Sequence, residues 1–356
     1  MSATATQTAT AQPVLSLKTN PLYNEKTHLI EKTAAQITSQ TYGDWRDELN
    51  SQGYCVVKGA ISAEKAQAYR EDIFNWMKSL RPNFDENDKS TWTPENLPGC
   101  SKISTYTNYC VPHEDFFWRL RNEPGFKDAF AKYWGDDKLL VSFDAINVSL
   151  PGYKSDDLKT TKPWPHVDSS PYRNGLTCIQ GIAALAPAGE KDGSLIVYKN
   201  SHKYIEEFFK NGGIPEEKWH PADNVQLSTE ELENFLKLYP DVEKLKVHVE
   251  PGDLILWDSR TIHYGAAPDD DSDVIRTIAY ISYSPASFAT EEALAAKNEV
   301  FKQWGGTTHW AFDNINARLF KATLPNGELD PADRTEPLHL PELSDEILKL
   351  AGAKRY

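Results

Sequence analysis

The sequence predicts a mainly β core, a double-stranded β-helix or jelly roll, with flanking α-helices and a helical insertion. Three observations carry that expectation. Between residues 139 and 285 lie LLVSFDAINVSL, LTCIQGIAALA, GSLIVYKNSH, KVHVEPGDLILWDS and VIRTIAYISYS, β-rich runs bounded by Gly, Pro, Asn and Asp. Several are apolar at nearly every position, as strands are when two stacked sheets cover both of their faces. No strand–helix alternation is present, and no GxGxxG or GxxxxGKS/T run, which argues against a doubly wound, nucleotide-binding sheet.

The elements follow in order. Residues 1–17 are small, polar and of low complexity, and read as a disordered tail. They lack the basic and apolar regions of a secretory signal, and no window of the chain is apolar enough for a membrane span, so a cytoplasmic protein is expected. Residues 18–138 read as a helical part packed on the core. Asn24 to Gln52 has helical apolar spacing, with Gly43 as a break, and Tyr54 to Lys58 is a short β-rich run. Ser62 can cap a helix whose stripe is Ala66, Tyr69, Ile73, Trp76, Met77 and Leu80. The loop-like, aromatic stretch 82–115 is long for a connection and is a candidate pocket wall. A helix from Glu114 to Trp134, interrupted near Pro124, leads into the core at 139–285. Within that core, 203–247 is a polar, helix-forming insertion, either a solvated surface or a lid. Residues 286–356 read as a helical C-terminal extension that packs on the core or makes a homodimer contact. The whole reads as one compact catalytic domain.

The formal charge of -14 argues against nucleic acid or an anionic membrane as partner and leaves a small-molecule substrate. Cys55, Cys100, Cys110 and Cys178 are scattered with no CxxC pair, which argues against a disulfide framework and a thiolate zinc site.

The chemical signal is spread over the β core. His166 and Asp168 stand two apart in PWPHVD, so a strand would present both on one face. Another 94 residues lie between Asp168 and His263, and Arg276 comes 13 positions after His263. Two histidines and a carboxylate form the facial triad of non-haem Fe(II) oxygenases, which leaves positions open for substrate and O2. A structural zinc site would close its sphere with a fourth protein ligand. Arg276 offers a guanidinium fork for a carboxylate-bearing co-substrate, and strand parity would turn Tyr280 and Ser282 the same way. Three readings share the pattern: an oxygenase using a 2-oxo acid, a metal cupin without one (an isomerase or a ring-cleaving dioxygenase), and a non-enzymatic binding protein on the same fold.

The chain resembles the phytanoyl-CoA dioxygenase-like family of Fe(II)/2-oxoglutarate-dependent dioxygenases. The matching pieces are NSQGYCVVKGAISAEKAQAYRE, PWPHVD, DGSLIVYKNSHK and EPGDLILWDSRTIHYG, spread over Gln52 to Pro285. The resemblance implies a jelly-roll core, Fe(II), 2-oxoglutarate and O2, with His166, Asp168 and His263 as metal ligands and Arg276 as the 2-oxoglutarate anchor. It implies oxidation of a C–H bond, coupled to conversion of 2-oxoglutarate to succinate and CO2. The family often carries a lysine before the Pro-Gly that precedes its HxD; here the segment is NVSLPGYK. Asn147 or Ser149 could stand in for that contact, and Gln180 and Ser282 are further candidates for the co-substrate. Arg260, His113 and Tyr280 are candidates for the substrate. Asp168 counts against halogenation, in which a small residue at this position leaves room for a halide. The acidic chain is a poor match for a polyanionic CoA ester, so the expected substrate is a small, largely apolar molecule such as a secondary metabolite. His28, His220, His309 and His339 carry no assigned role.

Overall fold

A computed structural model of the chain describes residues 20–101, 104–153, 163–324 and 326–356. The tail expected over residues 1–17 lies outside them. Local chemistry sets the first elements. Helix α1 (Thr27–Thr38) buries Ile30, Ala34 and Ile37 on one face. Asp44 caps α2 (Trp45–Gln52) by accepting a hydrogen bond from the Arg46 amide, and Gly53, at φ 84°, ends it. A Cβ at Gly53 would also collide with the His202 ring, so glycine is needed there for both backbone shape and space. Strand β1 (Tyr54–Val57) follows, and Ser62 then caps α3 (Ala63–Leu80), whose stripe is buried as its spacing requires. After β2 (Thr105–Tyr106) come α4 (Asp115–Arg121) and α5 (Pro124–Trp134). Pro124 opens α5, where its missing N–H breaks no helical bond.

The core then runs β3 (Leu139–Val141), β4 (Ile146–Ser149), β5 (His166–Val167), β6 (Ile179–Ala184) and β7 (Ser194–Lys199). Next come α6 (Ile205–Lys210), β8 (Val225–Gln226), α7 (Thr229–Leu238) and β9 (Glu243–Lys246). Strands β10 (Leu254–Asp258), β11 (His263–Ala266), β12 (Arg276–Tyr280) and β13 (Tyr283–Pro285) close the core, and α8 (Glu291–Lys302) and α9 (Asp345–Leu350) follow. Two antiparallel sheets dominate, ordered β1-β10-β6-β12-β4-β2 and β8-β5-β11-β7-β9. The part expected to be helical, 18–138, supplies both edges of the large sheet through β1 and β2. The insertion 203–247 supplies both edges of the smaller one through β8 and β9. Two-residue strands carry too little pattern to read, and β9 (EKLK) is polar because an edge strand faces water. Among the described residues of the C-terminal extension the α-helices are α8 and α9, with irregular chain between.

Side-chain parity explains the uniformly apolar strands. Ile182 and Ala184 of β6, Ile255 and Trp257 of β10, Leu195 and Val197 of β7 and Ile278 of β12 meet in one cluster between the sheets. Their neighbours Ala183, Leu254, Leu256 and Ala279 turn the other way, into a larger cluster with the helices α1–α5, α8 and α9. On the smaller sheet, Ile196, Tyr198 and Tyr264 turn outward onto Phe208 and Phe209 of α6 and Phe235 of α7. Each sheet is thus covered on both faces, which removes the apolar–polar alternation of a half-exposed strand. Among the described residues no helix is long and apolar enough to cross a membrane.

His113 belongs to the helical layer. It is buried between Trp118, Phe143, Phe301 and Trp304, where one ring nitrogen donates to the Gly305 carbonyl at 2.8 Å and the other accepts from Trp118 Nε1 at 3.3 Å. Burial, with a smaller push from Arg121, moves it down to about 3. The unfolded chain protonates this residue near 6.5 and the folded chain only near 3, so His113 withdraws stability as pH falls below 6.5. Between pH 7 and pH 5 that amounts to about 2 kcal/mol. The variant His113→Phe keeps aromatic packing but cannot protonate. Urea unfolding is expected to find it less stable at pH 7, yet with a loss between pH 7 and pH 5 that is smaller than the wild type's by about 2 kcal/mol.

Candidate metal centre

The two sheets bring the distant histidines together. Strand β5 pairs with β11, and His166 lies directly opposite His263. His263 is also opposite Val197, one of the residues between the sheets, so both imidazoles face inward. Asp168 shares the parity of His166, and its amide is tied to the Ser259 carbonyl at 2.9 Å. Pro165 directly precedes β5; its carbonyl accepts from the Leu227 amide at 2.9 Å, but it has no N–H to give to the ladder.

Each imidazole is oriented from behind. His166 Nδ1 lies 3.2 Å from the Trp164 carbonyl, and His263 Nδ1 lies 2.8 Å from the Thr261 carbonyl. A carbonyl can only accept, so each Nδ1 carries the proton and each Nε2 keeps a bare lone pair. Trp164 stacks on His166 with centroids 4.1 Å apart and planes 7° from parallel. The two Nε2 atoms point at one carboxylate: His166 Nε2 is 3.6 Å from Asp168 Oδ1, and His263 Nε2 is 3.4 Å from Asp168 Oδ2. Two amides hold that carboxylate, Gln180 Nε2 at 3.0 Å from Oδ2 and Asn224 Nδ2 at 3.2 Å from Oδ1.

The electrostatics match. Burial pushes the Asp168 carboxyl up, but the surrounding imidazoles outweigh it and hold it well below the usual carboxylate range. Burial and the neighbouring His166 push His263 down, toward the neutral ring that binds metal. Among the described residues His166, Asp168 and His263 form a group whose ligand atoms all lie within 4.8 Å of one another. Two neutral imidazoles and one carboxylate suit a divalent first-row ion with open positions, and no cysteine joins them.

A cavity of about 470 Å³ opens on this group. Arg276, Asn147, Ser149, Gln180 and Tyr280 line it, all from strands of the large sheet. Arg276 lies opposite Ser149 in the ladder and donates to Asn147 Oδ1, while its Nε is buried without a partner among the described residues. Asn147 also accepts from Ser149 Oγ at 2.9 Å and donates to Thr105 Oγ1 at 3.2 Å. The glycine of DGS makes room for this arginine: a Cβ at Gly193 would sit 2.6 Å from Arg276 Cδ.

Three sequence candidates stand elsewhere. Ser282 shares the parity of Arg276, but β12 ends at Tyr280 and the alternation ends with it; the Ser282 amide donates to Ser142 Oγ and its carbonyl accepts from the Ser142 amide. Arg260 is engaged by Asp258 at 2.7 Å and Glu206 at 2.9 Å, an ion-pair cluster that ties the end of β10 to α6. His113 sits in its aromatic cluster under α8, outside the cavity lining. Other residues of the site went unread in the sequence. Asn224 comes from the insertion, Asp144 from the turn before β4, and Thr308, His309, Trp310, Asn314, Asn316 and Arg318 from irregular chain after α8. None of these segments has a periodicity that would reveal which way a side chain points.

The family model for phytanoyl-CoA dioxygenase (PhyH) matches residues 49–276. Over 286 residues the chain is 41% identical to the Ava biosynthesis cluster protein O of Aspergillus versicolor, covering 78% of this chain and 90% of that protein. A hypothetical protein from Escherichia coli of known structure has a TM-score of 0.57 at 15% identity, with 92% of each chain covered. The GlcNAc Inducible Gene 2 protein of Candida albicans has a TM-score of 0.53 at 13% identity, over 92% of this chain and 89% of that one. At such identities these two structures show a common fold. The family match spans well over half the chain and contains His166, Asp168, His263 and Arg276. The protein therefore belongs to the phytanoyl-CoA dioxygenase family, whose enzymes use Fe(II), 2-oxoglutarate and O2.

Proposed function

We propose that this protein is an Fe(II)/2-oxoglutarate-dependent dioxygenase that hydroxylates or otherwise oxidises a C–H bond of a small molecule, releasing succinate and CO2. One observation carries the reading: the His166, Asp168 and His263 group and the Arg276 guanidinium line a single cavity between the sheets. When bound, Fe(II) supplies the redox chemistry that activates O2. His166 and His263 hold the ion through Nε2, with their rings fixed by the Trp164 and Thr261 carbonyls. Asp168 supplies the third ligand, and Gln180 and Asn224 fix its rotation. Arg276 pairs with the far carboxylate of 2-oxoglutarate, and Asn147 and Ser149 orient the guanidinium. Trp164 and Trp257 line the cavity next to the ligands and exclude water from the reacting centre.

The substrate is a small molecule and not an acyl-CoA. The formal charge of -14 makes the chain a poor match for a polyanionic CoA ester. The 41% identity to a biosynthesis cluster protein supports a biosynthetic substrate, such as a secondary metabolite.

Anaerobic addition of Fe(II) and 2-oxoglutarate is expected to give the weak visible charge-transfer band of a chelated keto acid. His166→Ala and Asp168→Ala should abolish it, and a wild-type protein without the band would end this reading. Gln180→Met removes an amide from the ligand carboxylate without touching a ligand. Its Fe(II) affinity is expected to fall about 10- to 100-fold in equilibrium metal titrations. For Arg276→Met the 2-oxoglutarate concentration that half-saturates the band should rise by about 100-fold or more, the 2–5 kcal/mol typical of breaking a buried charge pair. An unchanged value would move the anchor elsewhere.

A further inference from the structure

We propose that His309 is a substrate-positioning residue: it hydrogen-bonds a hydroxyl, carbonyl or N–H group beside the carbon that is oxidised. This rests on the dioxygenase reading above, and it defines the substrate as a molecule with a polar group at its reacting end. A plain hydrocarbon chain does not meet that requirement.

His309 differs from the structural histidines of this fold. His113 and His202 are buried, and each places a ring nitrogen on a backbone carbonyl, of Gly305 and Asn50. His309 is equally buried, and like His202 Nδ1 its Nε2 has no hydrogen-bond partner among the described residues. Its Nδ1 lies 3.9 Å from Asp168 Oδ2, too far for a hydrogen bond, and the residue stands outside the group of mutually close ligand atoms. Buried polar groups in native proteins are nearly always paired, and His309, unlike His202, lines the cavity, so a polar group held there can complete the pairing of its ring. A neutral imidazole offers one N–H and one lone pair.

The segment that carries His309 is built in. Trp310 is fully buried, and the Arg173 guanidinium lies 4.1 Å over its ring. Arg173, from the loop after β5, pairs with Asp223 at 2.7 and 2.9 Å and with Asp313 at 3.1 Å. Asn314 donates to Asp223 at 2.9 Å, and the next residue, Asn224, holds Asp168. His309 is thus fixed through the same buried network that borders the metal ligands, on a different wall from Arg276. It also lies beyond the residues 49–276 shared with the family, where specificity can differ between members.

The test uses the full chain loaded with Fe(II) and 2-oxoglutarate. The probes are matched pairs of small molecules, one member bearing a hydroxyl, carbonyl or N–H and the other the deoxy or hydrocarbon analogue. They are scored by perturbation of the charge-transfer band and by succinate release above the substrate-free rate. Wild type is expected to respond to polar members. His309→Leu should raise their KM 10- to 100-fold and erase the preference over the analogues, with the band and the half-saturating 2-oxoglutarate concentration unchanged. His309→Gln, which restores a hydrogen-bonding group, should recover part of the preference. The proposal is overturned if wild type shows no response to polar members, if His309→Leu keeps the preference, or if the variant loses 2-oxoglutarate binding to the same degree as substrate. Absence of the band in wild type would instead remove the dioxygenase reading itself.

Discussion

Everything at this site depends on the pairing of β5 with β11. That ladder sets His166 opposite His263, although nearly a hundred residues separate them in the chain. The period of two then decides the rest. Asp168 follows His166 onto the inward face, Gln180 shares the parity of Ile182, and Arg276 that of Ile278. A one-residue slip in either strand would turn an imidazole out of the space between the sheets and separate the ligands. The apolar cluster between the sheets therefore does more than stabilise the fold. By burying Val197, Trp257 and Ile278 it fixes the register that keeps the polar residues together.

Around that pairing, carbonyls, amides and the buried Arg173–Asp223 pair limit the freedom of each ligand. The imidazoles are held at Nδ1 by the chain that precedes them, and the carboxylate by two amides from separate elements. The insertion and the C-terminal extension meet at Asp223, where Arg173 and Asn314 both bond. Those two segments depart most from a bare jelly roll, and both reach the cavity, through Asn224 and through His309. The family core thus carries the candidate metal ligands and Arg276, while the added chain supplies much of the remaining wall.

The legible part of the site was the part on strands. HxD, the distal histidine and Arg276 sit on or beside strands whose alternation can be read, and all four converge. Parity failed where a strand ended: Ser282 is two positions past the last residue of β12. Arg260, of opposite parity to His263, pairs with Asp258 and Glu206 and does not line the cavity. In the N-terminal part the β-rich run Tyr54 to Lys58 is β1, whereas β2 could not be read, because a strand of two residues borrows its stability from the sheet it joins. His309 was unreadable for a deeper reason. It lies in irregular chain whose course is set by long-range contacts, among them the bonds of Thr307 with Phe143 and the ion pairs of Arg173 with Asp223 and Asp313.

The central claim is that one ion is held by three side chains on the inward faces of two paired strands. A crystal structure of the protein loaded anaerobically with Fe(II) and 2-oxoglutarate tests it most directly. The expected result is an ion bound by Nε2 of His166, Nε2 of His263 and an oxygen of Asp168, with the far carboxylate of 2-oxoglutarate on Arg276. An ion bound at other residues, a fourth protein ligand closing the sphere, or 2-oxoglutarate lying away from Arg276 would contradict it.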